Sequence, residues 1–155
     1  MSFRNGSKLK AAEIVTVGFL AAVLVLTGCS KSSSYNSAEQ ARQKLLAEGL
    51  PCPPSSSGGR IKGNDGVVVD KIYCEIVKGS SANYHVLVLP GGESMADWIK
   101  TQCAGQMPFD YNPEPGHVQG SNWVAVGNWS AIPVSQNEVA RALGGTVLAG
   151  DICTS

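Results

Sequence analysis

Val67-Val68-Val69-Asp70-Lys71-Ile72-Tyr73-Cys74-Glu75-Ile76-Val77, followed by Tyr84-His85-Val86-Leu87-Val88-Leu89, is the stretch on which the fold turns. In the first run Ile72, Cys74 and Ile76 fall on one side and Lys71, Tyr73 and Glu75 on the other. That two-residue period predicts a strand with one face turned inward. Gly79-Ser80-Ser81-Ala82-Asn83 supplies a turn, and the second run returns as the partner of the first, a β-hairpin with a loop longer than the tight two-residue kind. Pro90-Gly91-Gly92 ends it.

Downstream of the hairpin, Met95, Trp98, Ile99 and Cys103 recur at helical spacing after a Ser94 cap, predicting a helix near 94–104. Residues 105–116, with Pro108, Pro113 and Pro115, read as a long loop. Val118–Val126 reads as a third strand. Ser135-Gln136-Asn137-Glu138 is a capping box with Val134 and Val139 as its hydrophobic staple, and Gly144-Gly145 stops that helix. Val147–Ile152 follows as a last strand. Upstream, Ser37-Ala38-Glu39-Gln40 opens a helix over 37–48, and Pro51, Pro53 and Pro54 begin a flexible loop to Gly66. The expected architecture is α+β in the order α-ββ-α-β-α-β: about four mainly antiparallel strands, with helices packed on one face.

The chain has 155 residues, 12 Lys+Arg against 12 Asp+Glu, 15% charged and 43% hydrophobic residues. Those values exclude a disordered polyelectrolyte and a basic nucleic-acid-binding domain. Part of the apolar content lies outside the expected core. Arg4, Lys8 and Lys10 precede an uncharged run from Ile14 to Leu26, the layout of a secretory signal and shorter than the ~20 residues of a spanning helix.

Leu26-Thr27-Gly28-Cys29 ends that run and resembles the lipobox of bacterial lipoproteins. The resemblance implies cleavage before Cys29 and a diacylglyceryl group on its sulfur. It divides the chain into a signal peptide 1–28, a lipidated tether 29–36 and a domain 37–155. Removing residues 1–28 leaves 9 basic and 11 acidic residues. A slightly acidic domain gains nothing from anionic headgroups, so the acyl chains do the holding, each buried methylene contributing about 0.8 kcal/mol.

Beyond Cys29 stand Cys52, Cys74, Cys103 and Cys153, an even number that in an exported chain points to disulfides with three connectivities open. Pairing 52–74 with 103–153 ranks first, because Cys52 follows a helix that Cys74, in a strand, would pin. Zinc is disfavoured, since no C-x-x-C or H-x3–5-H spacing exists and only His85 and His117 are available. More loosely, residues 37–145 resemble small secreted lipoproteins of actinobacteria. Gly49-Leu50-Pro51-Cys52, Cys74, Gly120-Ser121-Asn122-Trp123-Val124 and Leu143-Gly144-Gly145 carry that likeness. It implies Cys52–Cys74 pairing and no activity.

Leu89-Pro90-Gly91-Gly92-Glu93-Ser94 resembles the glycine-rich loop of class I glutamine amidotransferases of the vitamin B6 pathway, and Cys103-Ala104-Gly105 echoes their cysteine elbow. The two lie only about ten residues apart and no His-x-Glu pair follows His117. An exported cysteine is moreover oxidised rather than held as a thiolate, so the stretch is read as a strand-to-helix turn. The same turn lacks the lysine of a phosphate-binding loop. His85 shares a strand face with Leu87 and Leu89 and reads as a core or edge histidine; His117 reads as a solvated loop residue. Asp97, Asp110 and Glu114 have no spacing that demands a carboxylate pair, and 110–114 is too sparse in oxygen ligands for calcium.

Trp98 reads as core. Trp123 and Trp129 flank the Gly127-Asn128 turn; as an exposed pair they would dock a protein or a sugar, so they are the candidate binding residues. The sequence therefore predicts a non-catalytic, lipid-anchored protein on the extracytoplasmic face of the cell membrane. It needs no cofactor or metal and binds an unidentified envelope protein or glycan. The rival readings are a prophage-type superinfection-exclusion or inhibitor lipoprotein and, behind it, an envelope enzyme.

Overall fold

The computed structural model describes residues 32–53, 58–105 and 116–154. The expected signal peptide, Cys29, and the residues Asp110 and Glu114 lie outside them. Three helices, α1 (Ala38–Ala47), α2 (Met95–Cys103) and α3 (Gln136–Leu143), accompany six strands. The strands are β1 (Gly59–Lys62), β2 (Val68–Glu75), β3 (Asn83–Val88), β4 (His117–Gln119), β5 (Trp123–Gly127) and β6 (Thr146–Leu148). They form one sheet in the order β1-β2-β3-β5-β4-β6, with antiparallel pairing throughout the described strands.

The helix ends follow local chemistry. Ser37 caps α1, accepting from the Gln40 amide at 3.1 Å, while the Gln40 side chain turns back to the Asn36 amide at 2.8 Å. At α3 the reciprocal box is complete: Ser135 Oγ accepts from the Glu138 amide and Glu138 Oε2 accepts from the Ser135 amide. Gly144 ends it at φ 70°, a left-handed conformation that costs glycine nothing.

The α+β class and the β2–β3 hairpin agree with expectation, in register from Asp70↔Val88 to Glu75↔Asn83. Strand count, order and layering differ. The stretch expected as one strand over 118–126 is a hairpin, β4 and β5, folded at Gly120–Asn122. The expected loop before Gly66 contains β1, which pairs with β2. The last strand stops at Leu148, and Ile152 is buried in a turn beyond it.

Helices cover both faces rather than one. Ile72, Cys74, Tyr84, Val86, Val88, Val118, Trp123 and Ala125 share a cluster with the buried residues of α1 and α3. Val69, Leu87, Leu89, Val124 and Val126 form another with Met95, Trp98 and Ile99 of α2. The reason is visible in β5, whose five residues are all buried: a strand covered on both sides has no polar alternation.

Each layer carries one covalent brace. Cys52–Cys74 ties the segment after α1 to β2, and Cys103–Cys153 ties the end of α2 to the C-terminal turn, with Cα separations of 4.5 and 5.5 Å. Of the three connectivities open in the sequence, this is the one ranked first.

Candidate functional site

Residues 29–36, expected to be a tether, are largely part of the fold where they are described. The Ser33 amide donates to Gly144 O at 3.0 Å, and Ser33 O accepts from Trp123 Nε1 at 2.9 Å and from Ser121 Oγ at 3.1 Å. Tyr35 is 8% exposed and donates its hydroxyl to Leu143 O. The Asn122 side chain closes the clasp. Its Oδ1 accepts from the Tyr35 amide at 3.0 Å, and its Nδ2 donates to Tyr35 O at 2.6 Å and Leu89 O at 2.8 Å. The chain is thereby bound to the end of the sheet where β3 stops and β5 starts. The signal was present in Gly120-Ser121-Asn122-Trp123, but its partners lie nearly 90 residues away.

The tryptophan pair separates. Trp123 is fully buried beneath the clasp, edge-on to Tyr35 at 6.1 Å between ring centroids, so its ring is not a docking surface. It is buried because the inward face of β5 begins with it. Trp129 is half-buried at the opposite end of the sheet, stacked on Tyr84 at 5.8 Å with its Nε1 donating to Gly116 O. Its remaining exposed surface still faces outward. Trp98 is 4% exposed, as expected of core.

The histidines also sit differently from one another. His85 lies on the α2 face of β3, its ring 4.8 Å from that of Tyr73. Burial, with the Lys71 ammonium adding to it, holds its imidazole down at about 4. His117 is not solvated: pairing of β4 with β6 leaves it 1% exposed, and neither ring nitrogen hydrogen-bonds a described residue. Burial lowers its basicity, against which the nearby Gln119 amide and Asp151 carboxylate act, the amide without hydrogen-bond geometry.

A measurable consequence follows for stability. An imidazole whose folded pKa lies below the ordinary 6.5 contributes in full above 6.5 and loses that contribution as pH falls towards the folded value. Urea midpoints should therefore drop between pH 6.5 and 4, and His85→Gln should flatten that slope. A proton NMR titration placing the His85 midpoint above 6 would contradict this.

Between α2 and the C-terminal turn lies a groove of about 700 Å³. Asp97, Lys100, Gln119, Leu148 and Thr154 line it together with the Cys103–Cys153 bridge. It arises from elements distant in the chain, and no local pattern marked it. The two cysteines are consumed by the bridge, and among the described lining residues none is a histidine that would serve as a base. No group of three His, Cys, Asp or Glu side chains suited to a metal occurs among the described residues. No described helix is long and apolar enough to cross a membrane.

No family model, curated protein or solved structure matches the chain.

Proposed function

We propose that the chain is a lipoprotein of the cell envelope, anchored through Cys29 on the extracytoplasmic face and working by binding rather than catalysis. The observation that carries the reading is the cysteine pairing. Cys52, Cys74, Cys103 and Cys153 close two bridges among themselves, which suits an oxidising compartment and leaves Cys29 with no intrachain disulfide partner. A thiol left over at the end of Leu26-Thr27-Gly28 is where the lipobox resemblance puts a diacylglyceryl group. The partner is an envelope protein or a glycan, and the exposed part of Trp129 is the aromatic surface that favours either.

Cys29→Ala is the test. In a bacterial host that processes lipoproteins, the wild-type protein should fractionate with membranes and show an intact mass matching residues 29–155 plus acyl chains. The variant should stay unprocessed or leave the membrane fraction. Equal retention of both, with no mass difference beyond the substitution, overturns the reading.

A further inference from the structure

The clasp makes the leash shorter than the sequence suggests. If the anchor is at Cys29, the covalent path from the lipid to the first fixed residue is four Cα steps, because Ser33 is already bound to Gly144, Ser121 and Trp123. Four extended steps span at most about 14 Å. A compact domain of this length has a radius of gyration near 13 Å and hence a diameter of about 35 Å. A point diametrically opposite Ser33 then stays at least about 20 Å from the bilayer however the domain tilts.

Strand directions identify both ends. Val88 pairs with Trp123, Asp70 with Val88, and Gln119 lies opposite Thr146, so Ser33 sits at the end carrying the 90–93 turn, the 120–122 turn and Gly144. Tyr84 pairs with Gly127 and Glu75 with Asn83, placing the 76–82 turn, Asn128 and Trp129 at the other. The Ser33 end suits contact with headgroups. Pro90, Gly91, Gly92 and Ser121 are exposed there and uncharged, and the exposed charges around them balance, Arg60 and Glu93 beside the 90–93 turn and Lys62 and Asp65 in the neighbouring β1–β2 turn.

We propose, resting on the anchoring reading above, that the domain stands on the bilayer by the Ser33 end of its sheet. The 90–93 and 120–122 turns face the lipid headgroups, and the 76–82 turn with Trp129 is presented outward to partners. The surface that meets lipid is thus fixed by a backbone clasp rather than by charge.

Acylated protein in phosphatidylethanolamine–phosphatidylglycerol vesicles tests this with a bulky polymer-linked amine reagent. Native Lys78 reports the outward end, and a Glu93→Lys variant places an amine at the headgroup end. Relative to the same variant carrying Cys29→Ala and free in solution, residue 93 should label about fivefold more slowly on vesicles while Lys78 is unchanged. Inserting about 20 Gly/Ser residues between Ser32 and Ser33 should restore labelling at 93 without releasing the protein. Acylated protein that labels equally at both ends, or is shielded at Lys78, overturns the orientation alone. Protein with no acyl chain on Cys29 overturns the anchor and the orientation together, and intact mass tells the two failures apart.

Discussion

Asn122→Ala should cost about 3–5 kcal/mol of folding stability, because one side chain satisfies three backbone groups at once. The Tyr35 amide, Tyr35 O and Leu89 O all depend on it, and at 2% exposure no bulk water replaces the lost amide. With an m-value of about 1.5 kcal/mol/M, the urea midpoint should fall by about 2–3 M. Ser121→Ala is the control: it removes one exposed hydroxyl bond to Ser33 O and should cost less than about 1 kcal/mol. A shift as small for Asn122→Ala as for the control would mean that Tyr35 is not held by Asn122 as described. The consequence reaches function. Asn122 braces Tyr35 directly behind Ser33; once the Ser33 bonds to Gly144, Ser121 and Trp123 open as well, the first fixed residue becomes the Ser37 cap, and the reach of the proposed leash doubles.

That clasp also shows where sequence reading stops. Helix boundaries were legible to within a residue or two because a cap such as Ser135 with Glu138 is complete inside four positions. The β2–β3 hairpin was legible because Ile72, Cys74 and Ile76 alternate with polar residues. The same alternation misled elsewhere. Val86-Leu87-Val88-Leu89 and Val124-Ala125-Val126 contain no polar break, which is the mark of strands covered on both faces and does not fit helices packed on one face alone. β1 carries one apolar residue in Gly59-Arg60-Ile61-Lys62 and exists through its ladder to β2, so no periodicity announced it. Gly120-Ser121-Asn122 is a turn signal that was read through. Burial of His117, docking of Tyr35 and the groove beside Cys103–Cys153 depend on contacts between distant segments, and nothing local encodes them.

A penalty of comparable size should come from Gly120→Ala. A Cβ at Gly120 would overlap the indole of Trp123 around Nε1 and Cε2, inside the van der Waals envelope of a ring that is fully buried. The ring cannot swing aside. Gly145 abuts its other edge, where an added Cβ would lie 2.7 Å from Cη2, and its N–H is spent on Ser33 O. The overlap must therefore be relieved by backbone movement in the β4–β5 turn, where Gly120 N also donates to Trp123 O at 2.9 Å. Overpacking of this kind should cost about 3 kcal/mol or more and leave much of the protein unfolded at 37 °C. Trp123→Phe alone should cost about 2 kcal/mol through the lost bond to Ser33 O and the space left by the smaller ring. Together the two changes should cost less than their sum by about 1–2 kcal/mol, since the new methyl enters the volume that the indole N–H edge has vacated. Strict additivity in that cycle, read from urea midpoints of the four proteins, would show that a methyl at 120 and the Trp123 indole do not compete for the same space.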